Sequence, residues 1–482
     1  MSKSSPLRVA VAGAQGFVGK ALVERLRADA AFAPVALART PRADAAVPVR
    51  ACDLLRAEDA ERGLADVDVA VYLVHAMMPS DRLVQASFRD LDLLAADNFA
   101  RAAARQGVRQ IVFLGGLAPA GDDPDGPSEH LASRLEVERA LASHGVPVTT
   151  LRAGLIFGPG GSSSRIVFNL ARRLPVMVCP AWTTTPTQPI ALEDIVTLLV
   201  GVIGRQDTYG ESWDVAGPDT LTYRELMALA AREARGRAPR MLSVPVLTPK
   251  LSALWVSLVT GAPLALVRPL VGSLSHPMLV RDRRLQATLN VPGQPVAVAL
   301  SQAIRADADA GTPRAFESAA NADGPSRVRS IQRLACPPGA CALDVAERYF
   351  AWLGETLGPV IEVRREGTSV ALAVRGLGPA LLELAPELLA SDRAVYRVAG
   401  GLLAWPDAAP AGRAPSDPQS GTFEFREVLG GEAVLVAIAD YVPRLPWWLY
   451  LVTQAQAHRL VMALFGGHLA AAPPLATSPV AA

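Results

Sequence analysis

Apolar and polar positions follow two rhythms along the first part of the chain. Short apolar runs at Arg8–Ala12, Pro34–Arg39, Val69–Val74, Gln110–Leu114 and Val148–Arg152 have the length of buried strands. Between them, Phe17–Asp29, Ser87–Gln106 and Ser128–His144 repeat apolar residues at helical spacing. Ser128 stands where a helix N-cap is expected. Strands that alternate with helices predict a parallel sheet with helices on both faces.

The first run leads into Val9-Ala-Val-Ala-Gly-Ala-Gln-Gly-Phe-Val-Gly19 at the start of the first helix. Gly13 permits a sharp turn, Gly16 lets a pyrophosphate approach the backbone, and Gly19 lets helix and strand pack closely. The positive helix end and its N–H groups then suit a phosphate. Strand, turn and helix in this order predict a Rossmann-like, doubly wound α/β fold, with Gly13, Gln15, Gly16, Phe17, Val18 and Gly19 as dinucleotide contacts.

The second run ends at Ala38-Arg-Thr-Pro-Arg42, where an NAD-selective fold would place an acid for the ribose 2′-hydroxyl. Guanidinium forks at Arg39 and Arg42 suit a 2′-phosphate instead, so NADP(H) is expected over NAD(H). Asp53, before Leu54, stands where it meets the adenine amino group or caps a turn.

The rhythm weakens beyond Pro159, and Gly158-Pro-Gly-Gly-Ser-Ser-Ser164 reads as a flexible loop. Irregular and helical pieces to about Ala310 predict a substrate lobe made apolar by Met177, Trp182, Trp255 and the uncharged run Leu251–Val267. That run is at the short limit for a membrane span and holds Gly261 and Pro263, so a buried helix pair is expected and membrane contact is not. Gly311–Val328 is small, polar and unpatterned, as a linker is. We divide the chain into 1–312, a linker at 313–334, a second domain at 335–469 and a disordered Pro/Ala tail at 470–482. In the second domain Asp344–Leu357 has helical spacing, Val395–Leu403, Thr422–Val428 and Ala433–Ala439 read as strands, and Trp447–Phe465 reads as a closing helix. The order predicts an α+β domain whose curved antiparallel sheet grips a long helix, an arrangement that often encloses an apolar cavity.

Composition narrows the partners. The chain has 482 residues, half of them hydrophobic, enough for two or three domains. A net charge of +1 without a basic tract argues against nucleic acid. Cys52, Cys179, Cys336 and Cys341 are scattered. Cys336-Pro-Pro-Gly-Ala-Cys341 could close a ring or hold half a metal site, but no second ligand pair exists, so no metal is expected and unpaired thiols fit a reducing cytoplasm. The start, Met1-Ser-Lys-Ser-Ser-Pro6, lacks the apolar core of a signal peptide.

Further motifs carry a resemblance: Val71-Tyr-Leu-Val-His-Ala-Met77, Asp97-Asn-Phe-Ala-Arg-Ala-Ala103, Ile111-Val-Phe-Leu-Gly-Gly-Leu117 and Leu151-Arg-Ala-Gly-Leu-Ile-Phe-Gly-Pro-Gly160. Gln188–Ile195 and Trp213–Pro218 extend it. With the glycine turn, the chain from Leu7 to Ala310 resembles an atypical short-chain dehydrogenase/reductase of the NmrA-like, extended type, closest to bacterial proteins with an appended C-terminal domain. The resemblance implies NAD(P) binding and a substrate over the C-terminal strand ends. It also places His75 near the nicotinamide ribose.

The chain departs from that family where the chemistry lies. The family's serine is replaced by Leu114-Gly-Gly116, and in register with its Tyr-x-x-x-Lys pair stand His130 and Arg134, one helical turn apart. An imidazole can donate a proton near neutral pH. Arginine can hold a ribose or phosphate but cannot act as a base. His130 and Arg134 are therefore a catalytic pair or a cofactor-positioning pair, or His130 is a surface histidine with no role. Three functions compete: an NADPH-dependent reductase of a small or lipophilic carbonyl compound, a non-catalytic NADP-sensing regulator or assembly factor, and a lipid-surface binder.

Overall fold

The computed structural model describes residues 5–41, 46–75, 84–118, 126–244, 248–309, 328–403, 421–441 and 443–471. The chain forms two compact units, Met1–Met78 with Ala95–Ser318, and Pro79–Leu94 with Ala319–Ala482. The segment Pro79–Leu94 thus belongs with the C-terminal unit although it lies in the first quarter of the sequence.

The chain opens with β1 (Leu7–Ala12), α1 (Phe17–Arg27), β2 (Phe32–Ala38), β3 (Val49–Ala51), α2 (Ala57–Gly63), β4 (Val69–Tyr72), β5 (Val84–Gln85), α3 (Phe88–Arg105), β6 (Gln110–Gly116), α4 (Glu129–Ala142) and β7 (Val148–Ala153). It continues through β8 (Ile156–Phe157), α5 (Ser162–Arg173), β9 (Val176–Cys179), β10 (Pro186–Thr187), β11 (Ile190–Ala191), α6 (Leu192–Val202), β12 (Ser212–Val215), β13 (Leu221–Thr222), α7 (Tyr223–Arg235), β14 (Arg240–Ser243), α8 (Pro249–Thr260), α9 (Leu264–Ser273), α10 (Arg284–Thr288) and α11 (Val296–Asp309).

The first unit is built on a seven-stranded sheet in the order β12-β7-β6-β4-β1-β2-β3, with every pair parallel. Val9, Ala10, Val11 and Ala12 are all buried, because a parallel strand covered on both faces is apolar throughout. Helix α1 buries Leu22, Val23 and Leu26 and turns Lys20, Glu24, Arg25 and Arg27 outward. Its buried face shares a core with Ile195 and Leu199 of α6. Neighbours of β1 connect in opposite directions along the sheet, so the gap between the ends of β1 and β4 is a topological switch point, where such folds bind ligands.

In the lobe, Leu170, Met177 and Met227 pack with Trp255. Helices α8 and α9 occupy the uncharged run and are separated by left-handed Gly261 (φ 73°) and by Pro263. The expected buried pair is only half right. Ala253 and Val256 are buried, but Leu251, Leu254 and Leu258 are 53%, 56% and 82% exposed on the other face of α8. Among the described residues no helix is long and apolar enough to cross a membrane.

The second unit contains β15 (Val328–Ala335), α12 (Ala342–Thr356), β16 (Ile361–Glu366), β17 (Ser369–Val374), β18 (Ala380–Ala390), β19 (Arg393–Gly400), β20 (Thr422–Val428), β21 (Ala433–Tyr441), α13 (Trp447–Val452) and α14 (Gln454–Ala471). Strands β16 to β21 and β15 form an antiparallel sheet in that spatial order, and β5 adds in parallel to β15. Helices α12 and α14 close its inner face around Tyr349, Phe350, Trp352, Phe423, Phe425 and Phe465. Several boundaries correct the sequence reading. Strand β15 takes over 328–334, which composition had marked as linker, and β16 to β18 are additional. The closing helix breaks at Thr453 (φ −118°, ψ −84°), and α14 runs through Ala471 into the expected tail. The rest of the tail, 472–482, and the linker at 310–327 lie outside the described residues.

Candidate functional site

The glycine turn closes over the end of β4. Gly13 has φ +81°, and a Cβ there would lie 2.9 Å from the carbonyl oxygen of Leu73. The Gly16 N–H donates to the Gly13 carbonyl at 2.9 Å, which fixes the turn. Gly16 is the extended N-cap of α1; no side chain caps it, and the first turn holds no acid. The first N–H groups of α1, from Phe17 onward, therefore form an end suited to an anion. A Cβ on Gly16 would meet the Gly13 oxygen at 3.1 Å and nothing else nearby, so the approach is bare backbone. A Cβ on Gly19 would lie 2.1 Å from the same oxygen, so helix and strand touch there.

The other candidate cofactor residues surround this turn. Gln15 donates through Nε2 to the Thr40 carbonyl at 3.1 Å and ties the turn to the end of β2. Arg39 is exposed at that end. Arg42 lies outside the described residues. Asp53 accepts from the Leu55 N–H at 3.2 Å, the turn-capping role among its two readings. Leu54 is buried, and its carbonyl accepts from Asn98 at 2.8 Å.

His75 follows β4 and His130 sits in the first turn of α4, and the two meet. His75 Nε2 lies 3.1 Å from His130 Nδ1. A hydrogen bond between two ring nitrogens needs one of them unprotonated, so this bond excludes the doubly protonated pair. Both imidazoles, with Phe17, Gly116, Ser162 and Tyr223, line a cleft of about 240 Å³. Phe17 links the cleft to the glycine turn. Ser128 caps α4 by accepting from the Leu131 N–H at 3.3 Å, and its Oγ lies 2.9 Å from Ser273 Oγ of α9. That contact fixes α4 against the lobe.

Two expectations need correction. Arg134 does not present its guanidinium as a ribose clamp. The residue is buried, donates to the Val74 and Leu114 carbonyls at 3.2 and 2.6 Å, and lies 4.7 Å over the Phe113 ring. It ties together the ends of β4 and β6, which holds the rim of the cleft in place. The glycine- and serine-rich stretch 158–164, expected as a flexible loop, starts helix α5 at Ser162 with Gly161 as N-cap. Ser164 is buried and accepts from the Gly158 N–H at 3.3 Å. A Cβ on Gly161 would meet the Phe17 ring at 3.0 Å, and one on Gly158 would meet Leu192 Cβ at 2.6 Å and the Phe17 ring at 3.1 Å, so these glycines make room for Phe17 and Leu192.

The sequence reading did not single out Tyr223 as a site residue. It is buried at the start of α7, and burial pushes its phenol up to about 12, so it stays a hydroxyl at neutral pH. Its signal was the Thr222-Tyr-Arg-Glu225 capping box, which fixes where α7 starts and thus where the ring points. At the strand end where the resembled family has its serine stand Gly115 and Gly116, and a Cβ on Gly116 would find its nearest neighbour, Leu131, at 3.5 Å.

Comparison with known proteins agrees with this geometry. Residues 13–167, about a third of the chain, match a family model described as NAD(P)H-binding. This part of the chain is an NAD(P)H-binding domain, and the C-terminal unit is an addition to it. Among curated proteins the chain is 33% identical over 113 residues to the auxiliary protein GraX of Staphylococcus aureus, covering 23% of this chain and 36% of that protein. The chain thus matches about a third of the length of that relative. Among solved structures, a nucleoside-diphosphate-sugar epimerase from Staphylococcus aureus is 18% identical, covers 61% of this chain and 100% of its own, and has a TM-score of 0.49. An NADPH-dependent quinone oxidoreductase from Escherichia coli, complexed with NADPH, is 21% identical, with coverage of 61% and 98% and a TM-score of 0.48.

Proposed function

We propose that this protein is an NADP(H)-dependent reductase of a small or lipophilic carbonyl compound, with His130 as the proton donor. The observation that carries the reading is the His75–His130 contact in a cleft that Phe17 joins to the glycine turn. The turn binds the pyrophosphate through backbone N–H groups at the start of α1. Arg39 contributes a cation at the end of β2, the place where a 2′-phosphate is read. NADPH, when bound, supplies the hydride. His130 gives a proton to the carbonyl oxygen, and because its Nδ1 faces His75, the exchange runs through Nε2. His75 orients the ring and can return a proton to it. Tyr223 offers a hydroxyl from the opposite element to orient the carbonyl.

The test is steady-state NADPH oxidation against a panel of aldehydes, ketones and quinones. His130→Ala should lower turnover by about 10²–10⁴-fold, the usual contribution of a general acid, with NADPH affinity unchanged. His75→Ala should lower it less. Turnover that survives His130→Ala refutes the assignment of the donor. The replacement of the family's serine by the Gly115-Gly116 pair and the engagement of Arg134 by backbone carbonyls favour a second reading, an NADP-sensing regulator without turnover. Tight NADPH binding with no oxidation against any carbonyl would support that reading.

A further inference from the structure

The second unit holds a cavity of its own, lined by residues of α12, the inner face of the sheet, α13 and α14. Its volume is about 230 Å³. Its walls are leucine, isoleucine, valine and phenylalanine side chains, such as Leu353, Leu382 and Phe423. At one side stand Tyr441, Tyr450, Gln454 and His458. Tyr441 donates to Gln454 Oε1 at 2.9 Å, which orients the carboxamide and commits its oxygen. Among the described residues, Gln454 Nε2 and His458 Nε2 are shielded from solvent and have no hydrogen-bond partner. Gln454 and His458 lie four residues apart on α14, so both face the same side of the helix. Two orphaned polar atoms beside one apolar cavity are costly, at about 1–3 kcal/mol each, unless something pairs with them.

We propose that this cavity binds an uncharged, mostly hydrocarbon molecule with one carbonyl-type oxygen, which accepts from Gln454 Nε2 beside His458. Among the described residues the lining contains no Asp, Glu, Lys or Arg, so a charged head group would be buried there without a counter-ion. Burial also lowers the His458 imidazole to about 4, so it is neutral at pH 7 and offers no cation to a carboxylate. An apolar cavity of about 150 Å³ accepts benzene, so by proportion this one takes about nine heavy atoms. The site is formed by the second unit alone and does not depend on the reductase reading. Failure of one leaves the other standing.

The experiment is a calorimetric titration of the full chain at pH 7.5 with three probes of matched size: 2-nonanone, nonanoate and n-butylbenzene. The ketone should bind saturably, about fivefold to tenfold tighter than n-butylbenzene from its one extra hydrogen bond. Nonanoate should bind at least tenfold more weakly than the ketone. Gln454→Leu should bring the ketone down to the affinity of n-butylbenzene. Ala457→Trp, a substitution at an exposed lining position, should abolish binding of all three, with NADPH affinity and the thermal transition serving as folding controls. Absence of saturable binding overturns the proposal. So does tighter binding of nonanoate, or equal affinity for the ketone and n-butylbenzene. A Gln454→Leu protein that melts at a higher temperature but keeps its ketone affinity would show that Nε2 is an unpaired defect and not a contact. If Gln454→Leu fails to fold, the ranking of probes on the unaltered chain and the Ala457→Trp result still decide.

Discussion

Gly16 and Gly19 stand three residues apart in one turn and should fail in different ways. At Gly19 an added Cβ would sit 2.1 Å from the Gly13 oxygen and 2.8 Å from the Gly13 carbon and Ala14 Cα, all backbone atoms. No rotamer change relieves such a contact, so α1 must move away from β1 by about 1 Å to reach ordinary van der Waals separation. Overpacking of this kind costs about 1–3 kcal/mol. For a domain of this size that lowers Tm by about 2–10 °C. At Gly16 the backbone is extended, and the added Cβ meets only the Gly13 oxygen at 3.1 Å, which a shift of a few tenths of an ångström accommodates. Gly16→Ala should therefore leave Tm within about 1 °C, since the strain is small. A methyl there would still stand where the pyrophosphate approaches. Loss of one or two charge-assisted N–H contacts, at about 1.5–3 kcal/mol each, raises the NADPH Kd by about tenfold to a hundredfold or more. Differential scanning fluorimetry and NADPH fluorescence titration of both variants give the two readouts. Unchanged NADPH affinity in Gly16→Ala would refute the placement of the cofactor, and an unchanged Tm in Gly19→Ala would refute the helix–strand contact.

Other perturbations reach other parts of the molecule. Arg39→Asp should lower the NADPH:NADH affinity ratio by about tenfold to a hundredfold, the worth of one charge-assisted phosphate contact, and equal affinities in the unaltered protein would refute the reading. Gly116→Ser should fold normally, because its Cβ finds only ordinary contacts, and should raise carbonyl turnover; a rate left unchanged by the added hydroxyl would show that the carbonyl lies elsewhere. In the second unit, Glu424 accepts from Arg393 and Arg426, each at 2.6 Å. Burial raises its carboxyl, but the guanidiniums of Arg426 and Arg393 outweigh burial and hold it below its ordinary 4.5. A depressed carboxyl stabilises the fold above its ordinary pKa and loses that contribution as pH falls through the folded value, so chemical denaturation should show a loss below about pH 4.5 that Glu424→Gln lacks. The same variant should cost about 3–5 kcal/mol at pH 7, because it removes the carboxylate that buried Arg426 and partly buried Arg393 share.

The first unit was legible wherever the signal was local. Strand β1, the turn and α1 follow one another within about twenty residues, and each glycine reports a contact with its immediate surroundings. Five of the seven strands of the parallel sheet, β1, β2, β4, β6 and β7, were found within about two residues because they are largely apolar on both faces; the two edge strands, β3 and β12, were not read as strands, since β3 buries none of its residues and β12 only Val215. Geometry that joins distant segments was not legible. His75 and His130 are 55 residues apart, and nothing in either neighbourhood announces that they meet. Helical spacing correctly placed Arg134 one turn after His130, but it could not show that the carbonyls of Val74 and Leu114 would claim the guanidinium. The stretch 158–164 misled for a different reason: glycine and serine mark flexible loops and also helix starts, and the room needed by Phe17 decides between them.

The second unit shows how an open sheet hides its strands. Strand β16 reads Ile-Glu-Val-Arg-Arg-Glu and is at most half-buried throughout, so its charges mask the alternation that marks a strand. Strand β18 carries Pro386 at a register shift, where the missing N–H does not interrupt the ladder. Strand β15 lies within a segment that composition alone assigned to a linker. Helix α14 hides something more useful. Its buried stripe is Ala455, Met462, Phe465 and Leu469, and beside that stripe Gln454 and His458 face the cavity. In a sequence these two read as ordinary surface polarity on an amphipathic helix, because a solvated glutamine and one sealed against a cavity have the same neighbours in the chain. They differ only in what closes over them, which here is a sheet supplied by residues up to about a hundred positions earlier. A helix that needed only to plug the sheet would place leucine or alanine at both positions, at no cost in orphaned polar atoms. The polar pair is therefore better explained by something the cavity receives than by the folding of the domain.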